Sequence, residues 1–186
     1  MTKTILILPG SAREGSFNRK LAHAIGLRLQ RHDGVHADVI DPNEFEMPIY
    51  NGDLEDGMGV PKPALALAER FTQADAVILV TPEYNASLPP LMKNTLDWLS
   101  RDVAPHRPYK GRPFALASCS PGGLGGIRAL SHLRDVLVNV GAEMITPQVA
   151  VGGAMDAFDE SGQLVAKRSS ALLDGMIETL MERIEG

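Results

Sequence analysis

Residues 4–29 read TILILPGSAREGSFNRKLAHAIGLRL, and the pattern of this stretch changes twice. Thr4–Leu8 is apolar and rich in β-branched residues, and a Pro-Gly pair ends it, which predicts a buried strand. A polar loop follows at Ser11–Ser16. From Phe17 to about Arg31 the apolar residues recur at helical spacing. The stretch therefore predicts a strand, a loop and a helix in that order.

The same alternation continues along the chain. Four more apolar strand patterns occur at Val35–Ile40, Ala76–Val80, Pro113–Ser118 and Glu143–Val151. Four more helical patterns begin near Pro61, Pro90, Gly125 and Leu164, the last running to Ile184, whereas residues 41–60 look irregular. Five strands that are each followed by a helix predict an α/β fold with one parallel sheet and helices on both faces. The number of strands favours a flavodoxin-like three-layer sandwich with strand order 2-1-3-4-5, built as a single domain over residues 1–186.

The composition excludes several classes of protein. The chain has 186 residues with 18 Lys and Arg against 23 Asp and Glu, and its formal net charge of −5 disfavours binding to nucleic acid. The one cysteine, Cys119, excludes a disulfide framework, and the five histidines lack metal-ligand spacing, so no metal site is predicted. No apolar run reaches the ~20 residues of a membrane span. Since no signal peptide is evident either, we expect a cytoplasmic protein that does not bind membranes.

Three loops carry most of the polar residues of interest, and each follows a predicted strand. They are Ser11–Asn18, Thr81–Ser87 and Ser118–Gly123. In open α/β sheets, ligands bind beyond the carboxyl ends of the strands, at the point where the strand order reverses. In the order 2-1-3-4-5 that point lies between the first and third strands, so the three loops should line one crevice.

The first loop has the chemistry of a phosphate site. It joins a strand to the N-terminus of a helix and combines the Ser11 and Ser16 hydroxyls with the Arg13 guanidinium and the Asn18 amide. This set suits one phosphate monoester, and neither the G-x-x-x-x-G-K-[ST] nor the G-x-G-x-x-G fingerprint is present. The simpler alternative is that Ser16 only caps the helix and Arg13 is a solvated charge.

The other two loops each allow two interpretations. Thr81–Ser87 offers backbone donors, an amide and an aromatic ring to a planar heterocycle, and prolines would stiffen it; alternatively, the prolines only start the next helix. The glycines of residues 122–126 either let the backbone approach a flat ligand or form a turn and pack tightly on the sheet. Cys119 is expected to be a buried, inert side chain.

Four stretches resemble the NADPH-dependent FMN reductase family, and two of them match its branch of chromate or quinone reductases. They are GSAREGSFNRKLA (10–22), TPEYNASLPPLMKNTLDWLSR (81–101), SPGGLGGIRALSHLR (120–134) and GGAMDAFDESGQL (152–164). The stretches span most of the chain, in order and at natural spacing. Together they are far more specific than any one motif. The resemblance implies a flavodoxin-like fold that holds FMN.

The resemblance also implies a set of site residues and an activity. Carried onto this chain, the FMN-binding residues are Ser11, Arg13, Ser16, Phe17 and Asn18 at the phosphate, Pro82, Glu83, Tyr84, Asn85 and Ser87 at the flavin ring, and Ser118 and Gly122 nearby. The implied activity is an oxidoreductase that passes hydride from NADPH or NADH through FMN to a small-molecule acceptor such as a quinone, chromate, an azo compound or free flavin. No catalytic side chain is required, because the cofactor supplies the chemistry. The alternative is a flavodoxin-like electron carrier without NAD(P)H oxidase activity, although such carriers are typically more acidic than this chain.

Two helical segments, 90–101 and 125–140, are predicted to form an interface between copies of the chain. Apolar residues cover about 200° of the second segment, whereas a helix packed on its own sheet needs about 100°. Leu91 and Trp98 add apolar surface on the first segment. We therefore expect a homodimer or homotetramer, as the resemblance also implies, with Tyr50 or Asn51 of the partner subunit beside the crevice.

Overall fold

The computed structural model describes residues 2–185. Its strands are β1 (Lys3–Pro9), β2 (Val35–Val39), β3 (Ala76–Val80), β4 (Pro113–Cys119) and β5 (Glu143–Val151). They form one sheet in the order β2-β1-β3-β4-β5, and every neighbouring pair is parallel. This arrangement confirms the predicted flavodoxin-like α/β fold. The strand order reverses between β1 and β3, as expected.

Helices cover both faces of the sheet. They are α1 (Phe17–Leu29), α2 (Gly52–Met58), α3 (Lys62–Gln73), α4 (Pro90–Leu99), α5 (Ile127–Asn139) and α6 (Lys167–Glu185). Side chains alternate along each strand, so Ile5 and Ile7 pack beneath α1 and α6, while Leu6 and Leu8 lie in the core beneath α3, α4 and α5. The central strand β3 is fully buried, which explains its unbroken apolar run. Within the described residues, no helix combines the length and the apolar composition that crossing a bilayer requires.

Two predicted segments differ from the structure. Residues 41–60 are not irregular throughout, because a 3-10 helix forms at Pro42–Phe45 and α2 follows. The Asn51 side chain caps α2 by accepting a hydrogen bond from the Asp53 N–H at 2.9 Å, but α2 buries no residue and so shows no apolar stripe. The last helix begins at Lys167 rather than Leu164, because Leu164 is buried and pairs with Phe158 in an isolated β-bridge.

The predicted interface surface on α4 and α5 is smaller than expected. Trp98 was predicted to add apolar surface, and this prediction is wrong because the side chain is fully buried. Its Nε1 donates to the Pro48 carbonyl at 2.8 Å, and its ring packs edge-on against Tyr50. On α5, Leu130, Leu133 and Leu137 are also fully buried in the chain's own core. Neighbouring elements of the same chain therefore cover most of the wide apolar arc. Of the apolar side chains on the second segment, 125–140, only Val138 is largely exposed, at 59%.

The edge strand β5 contains an irregularity in its pairing with β4. The register advances from Phe114 opposite Met144 to Leu116 opposite Gln148, so β5 has extra residues that oppose none on β4. Arg134 of α5 donates hydrogen bonds to two carbonyls of this bulge, those of Ile145 at 3.1 Å and Thr146 at 3.4 Å. The bulge therefore keeps hydrogen-bond partners although it leaves the regular ladder.

Candidate functional site

A cleft of about 210 Å³, which we call the switch-point cleft, lies at the carboxyl ends of β1, β3 and β4. Eight predicted site residues line it: Ser11, Arg13, Ser16, Phe17, Asn18, Pro82, Glu83 and Tyr84. Cys119, Ser120 and Pro121 complete the lining and were absent from the predicted set, although the loop after the fourth strand had been predicted to face the crevice. Asn85, Ser87, Ser118 and Gly122 do not line the cleft.

The first loop presents unpaired backbone donors at the start of α1. Ser16 caps the helix, since its Oγ accepts a hydrogen bond from the Asn18 N–H at 3.3 Å. Within residues 2–185, neither the Phe17 nor the Arg19 N–H has an acceptor, and Arg13 is exposed and takes part in no ion pair. A helix N-terminus with free N–H groups and a nearby unpaired guanidinium is a site for an anion. Ser16 therefore caps the helix, as one interpretation held, and it also lines the cleft.

Residues from outside the first loop hold its backbone in place. The Ala12 carbonyl accepts hydrogen bonds from Arg19 Nη1 at 3.3 Å and from Asn43 Nδ2 at 3.4 Å. Arg19 also pairs with Asp41 at 3.0 Å. The Asn43 N–H, the largest influence, and the Arg19 guanidinium both hold the pKa of the Asp41 carboxyl below its usual value. These contacts order the loop without using Arg13.

Asn18 connects the first loop to the end of β4. Its side chain is buried, its Nδ2 donates to the Cys119 carbonyl at 2.9 Å, and its Oδ1 accepts from the Cys119 N–H at 2.9 Å. The ladder between β3 and β4 ends at Ala117, so the amide of Asn18 supplies the partners that β3 no longer offers to Cys119. The amide thus holds two walls of the cleft together, a role that the sequence analysis did not predict.

The second loop contains a tight turn in a rare backbone conformation. The Tyr84 and Ser87 backbones donate to each other's carbonyls at 3.0 Å in both directions. The two residues between them are in the left-handed region, Asn85 at φ 48° and Ala86 at φ 65°. Asparagine tolerates this conformation, whereas alanine does so at a cost. The turn therefore stores strain next to the cleft.

Helix α5 fixes the second loop from the other side. The Glu83 carboxylate accepts hydrogen bonds from the Arg128 N–H at 3.1 Å and the Arg128 Nε at 2.8 Å, and it also pairs with the Arg128 Nη2. These contacts, led by the Arg128 side chain, hold the pKa of Glu83 below its usual value. Ser87 Oγ lies 2.9 Å from His132 Nδ1, also on α5. Glu83 thus uses its carboxylate to anchor the loop on α5.

The third loop packs tightly on the sheet. Ser118 is fully buried and donates to the Gly125 carbonyl at 2.6 Å, so its hydroxyl holds the glycine loop. Gly125 and Gly126 both have positive φ, and a Cβ on Gly125 would lie 2.7 Å from the Ala150 carbonyl carbon. These two glycines therefore serve packing, whereas Gly122 is exposed and its N–H donates to Ser120 Oγ at 3.2 Å.

Cys119 lies in the wall of the cleft, but its thiol is not activated. The side chain is buried, and this burial raises the pKa of the thiol to about 12. A thiol with this pKa is protonated near neutral pH, so it is a poor nucleophile. Among residues 2–185, no group of three or more His, Cys, Asp or Glu side chains is arranged to hold a metal ion.

A family model of known proteins matches most of the chain. The model for NADPH-dependent FMN reductases matches residues 3–156. The chain belongs to the NADPH-dependent FMN reductase family. This assignment confirms the predicted family, the predicted enzyme class and FMN with NAD(P)H as the predicted cofactors.

Individual relatives of this FMN reductase align with it over nearly the whole length of both chains. It is 34% identical over 183 residues to a quinone reductase from Escherichia coli (strain K12), covering 97% of this chain and 95% of the relative. It is 34% identical over 178 residues to an NAD(P)H-dependent FMN reductase from Pseudomonas aeruginosa, covering 95% and 92%. Among solved structures, FerB, a flavoenzyme NAD(P)H:(acceptor) oxidoreductase from Paracoccus denitrificans, has a TM-score of 0.83 and 30% identity, covering 99% of this chain and 98% of that one.

Replacement of Arg13 tests its predicted contact with the FMN phosphate. We expect Arg13→Ala to weaken FMN binding by about 1.5–3 kcal/mol, the usual scale for a hydrogen bond to a charged group. Riboflavin lacks the phosphate, so its affinity should change much less. Fluorescence titration of both ligands measures the two losses. Equal losses for FMN and riboflavin would contradict the assignment.

Replacement of Ala86 tests the strain in the turn of this FMN reductase. Glycine adopts positive φ without the steric cost that alanine has, so Ala86→Gly should raise the free energy of unfolding by about 1 kcal/mol. Urea denaturation measures the change. Ala66→Gly is a suitable comparison, because Ala66 is an exposed residue inside α3 with no positive φ, and glycine there should lower the free energy of unfolding. No gain for Ala86→Gly would show that the turn carries no such strain.

Proposed function

We propose that this chain oxidises NADH or NADPH and reduces a quinone, with FMN held in the switch-point cleft. The observation that carries the proposal is the convergence of three loops on one cleft, where residues with free N–H groups at the start of α1 lie across from Pro82, Glu83 and Tyr84. Relatives named quinone reductase and 2-hydroxy-1,4-benzoquinone reductase support a quinone as the acceptor. FMN, when bound, supplies the ability to take a hydride from a nicotinamide and to give electrons to an acceptor.

The residues of the cleft fit FMN and would have separate tasks. Ser11, Ser16 and Arg13 would bind the phosphate together with the N–H groups of Phe17 and Arg19. Pro82–Tyr84 would present its backbone to the flavin ring, because Glu83 and Ser87 hold that loop on α5. Asn18 and Ser118 act indirectly, by fixing the first and third loops.

No side chain of the cleft needs to exchange a proton in this proposal. The Glu83 carboxylate is held ionised by Arg128, and burial keeps the Cys119 thiol protonated. Both groups therefore keep one protonation state near neutral pH. The walls of the cleft orient ligands and exclude water, and they leave the redox chemistry to the cofactor.

Steady-state oxidation of NADH and NADPH, with and without a benzoquinone, tests the proposal. We expect fast nicotinamide oxidation only with the quinone, and parallel double-reciprocal lines when both substrates vary, because one cleft would serve donor and acceptor in turn. A chain that binds FMN but does not oxidise NADH or NADPH would instead be an electron carrier. Chromate, an azo dye and free flavin, tested at fixed NADPH, would rank the other acceptors.

We also propose that two or four copies assemble through α4 and α5. The surface that supports assembly is formed by the partly exposed Ile127 and Val136 around Val138, with Leu91 on α4. Light scattering at micromolar concentration should give a mass of two or four chains, and Val138→Lys should lower it because a charge would be buried. A monomer of 20.0 kDa for the unmodified chain would contradict the proposal.

A further inference from the structure

A second cleft, of about 390 Å³, lies far from the switch-point cleft. We call it the basic cleft. It is formed by residues of the segment 99–110, which leads into β4, and by Val140 just after α5. The switch-point cleft lies at the carboxyl end of β4, whereas this segment lies at its amino end. Seven residues of β4 separate the two, about 20 Å at the usual rise of a strand, so they are separate sites.

Positive charge is concentrated at the basic cleft. Its lining includes the cations Arg101, Arg107 and Lys110, and it includes no carboxylate. The chain as a whole has a formal net charge of −5, so the lining of this cleft is positively charged although the protein is acidic. The nearby carboxylate of Asp102 lies outside the lining and accepts from the Ala104 N–H at 3.4 Å. An anion entering the cleft would therefore meet no carboxylate in the lining, although the Asp97 carboxylate lies near enough to act on Tyr109.

Two of these cations are free to bind a ligand. The side chains of Arg107 and Lys110 are exposed and, among residues 2–185, make no hydrogen bond or ion pair. Arg101 is engaged elsewhere, because its guanidinium lies 5.1 Å from the centre of the Tyr50 ring and donates to Ser100 Oγ at 2.9 Å. Arg107 and Lys110 are therefore the cations that an anion would contact.

Arg112 adds a buried positive charge behind the cleft, which the carboxylate of Asp75 offsets in part. Its guanidinium is buried and donates to the carbonyls of Arg107 at 3.2 Å and Pro108 at 3.3 Å, both in residues that line the cleft. No carboxylate in the described part of the chain forms an ion pair with it. Burial holds the pKa of Arg112 below its usual value, but an arginine stays charged near neutral pH. Its charge therefore raises the positive potential at the cleft.

Apart from Ser100 and His106, the rest of the lining is apolar. Leu99, Val103 and Tyr109 are buried, and Val140 lies beside them. The Tyr109 hydroxyl donates to the Leu96 carbonyl at 2.8 Å, so the ring is the part of Tyr109 that a ligand would meet. A small number of charged groups that converge beside an apolar surface is typical of sites for small organic ligands. We propose that the basic cleft binds a small organic anion, with its apolar body on these residues and its phosphate or carboxylate at Arg107 and Lys110.

Calorimetric titration with 1-naphthyl phosphate tests this inference. The full chain is loaded with FMN, and unbound FMN is then removed, so that the switch-point cleft is filled. We expect saturable binding of one 1-naphthyl phosphate per chain with no loss of bound FMN from the absorbance spectrum. Inorganic phosphate lacks the apolar body and 1-naphthol lacks the charge, so each should bind at least tenfold more weakly.

A pair of double variants assigns the binding to the cleft. R107A/K110A removes the two free cations and should weaken 1-naphthyl phosphate binding at least tenfold. R31A/K62A removes the same charge at exposed positions outside the cleft and should change the affinity less than twofold. Absence of saturable binding, displacement of FMN, equal losses in the two double variants, or equally tight binding of inorganic phosphate would each overturn the proposal.

Discussion

Asn18→Ala is expected to lower the free energy of unfolding by about 2–6 kcal/mol. The substitution leaves the N–H and the carbonyl of Cys119 without the partners that Asn18 supplies at 2.9 Å each. A buried polar backbone group without a partner costs about 1–3 kcal/mol, and here there are two. Urea denaturation of the FMN-free chain measures the loss apart from any effect of the cofactor.

The same substitution should also weaken FMN binding, because the first loop would no longer be fixed to the end of β4. Asn139→Ala is the matched control, since Asn139 is exposed and its side chain makes no hydrogen bond within residues 2–185. Its stability should change by less than about 0.5 kcal/mol. If Asn18→Ala were as stable as this control, the proposed link between the two loops would be wrong.

Gly125→Ala is expected to destabilise the chain by about 2–5 kcal/mol. An added Cβ would lie 2.7 Å from the carbonyl carbon of Ala150 and 2.8 Å from the Gly152 nitrogen, both backbone atoms that cannot move aside alone. The residue also has φ +63°, which costs an alanine about 1–2 kcal/mol, and overpacking adds about 1–3 kcal/mol. Thermal and urea unfolding would both report the change.

Gly123→Ala provides the comparison within the same loop. Gly123 has no positive φ, and a Cβ added there would have no other atom within 4 Å, so the methyl group would extend into open space. We expect a change of less than about 0.5 kcal/mol. Similar losses at the two positions would mean that the loop needs flexibility rather than close packing at Gly125.

The sheet was predictable from the sequence because its strands are buried on both faces. Ala76–Val80 is an unbroken apolar run for that reason, and its predicted bounds match β3. Helix α2 was missed because it buries no side chain, so no periodic stripe marks it. Leu164 was assigned to the last helix because it is apolar and precedes an amphipathic pattern, but it pairs with Phe158 in an isolated bridge.

The part of the candidate site that could be predicted is the part whose residues lie together in one loop. Ser11, Arg13 and Ser16 fall within six residues and precede a helix, so their chemistry can be read locally. The contacts that hold the loops join distant positions: Asn18 bonds with Cys119, 101 residues away, and Glu83 with Arg128, 45 residues away. Periodicity and local motifs carry no information about such pairs, and only the folded sheet brings them together.

The bulge in β5 bears on how copies of this chain meet one another. An exposed edge strand offers free N–H and carbonyl groups to which a second strand can add, and continued addition produces aggregates. In β5, Pro147 lacks an N–H, and Arg134 already occupies the carbonyls of Ile145 and Thr146. A foreign strand would therefore find no continuous run of partners here. Growth of the sheet from one molecule into the next is therefore disfavoured at this edge.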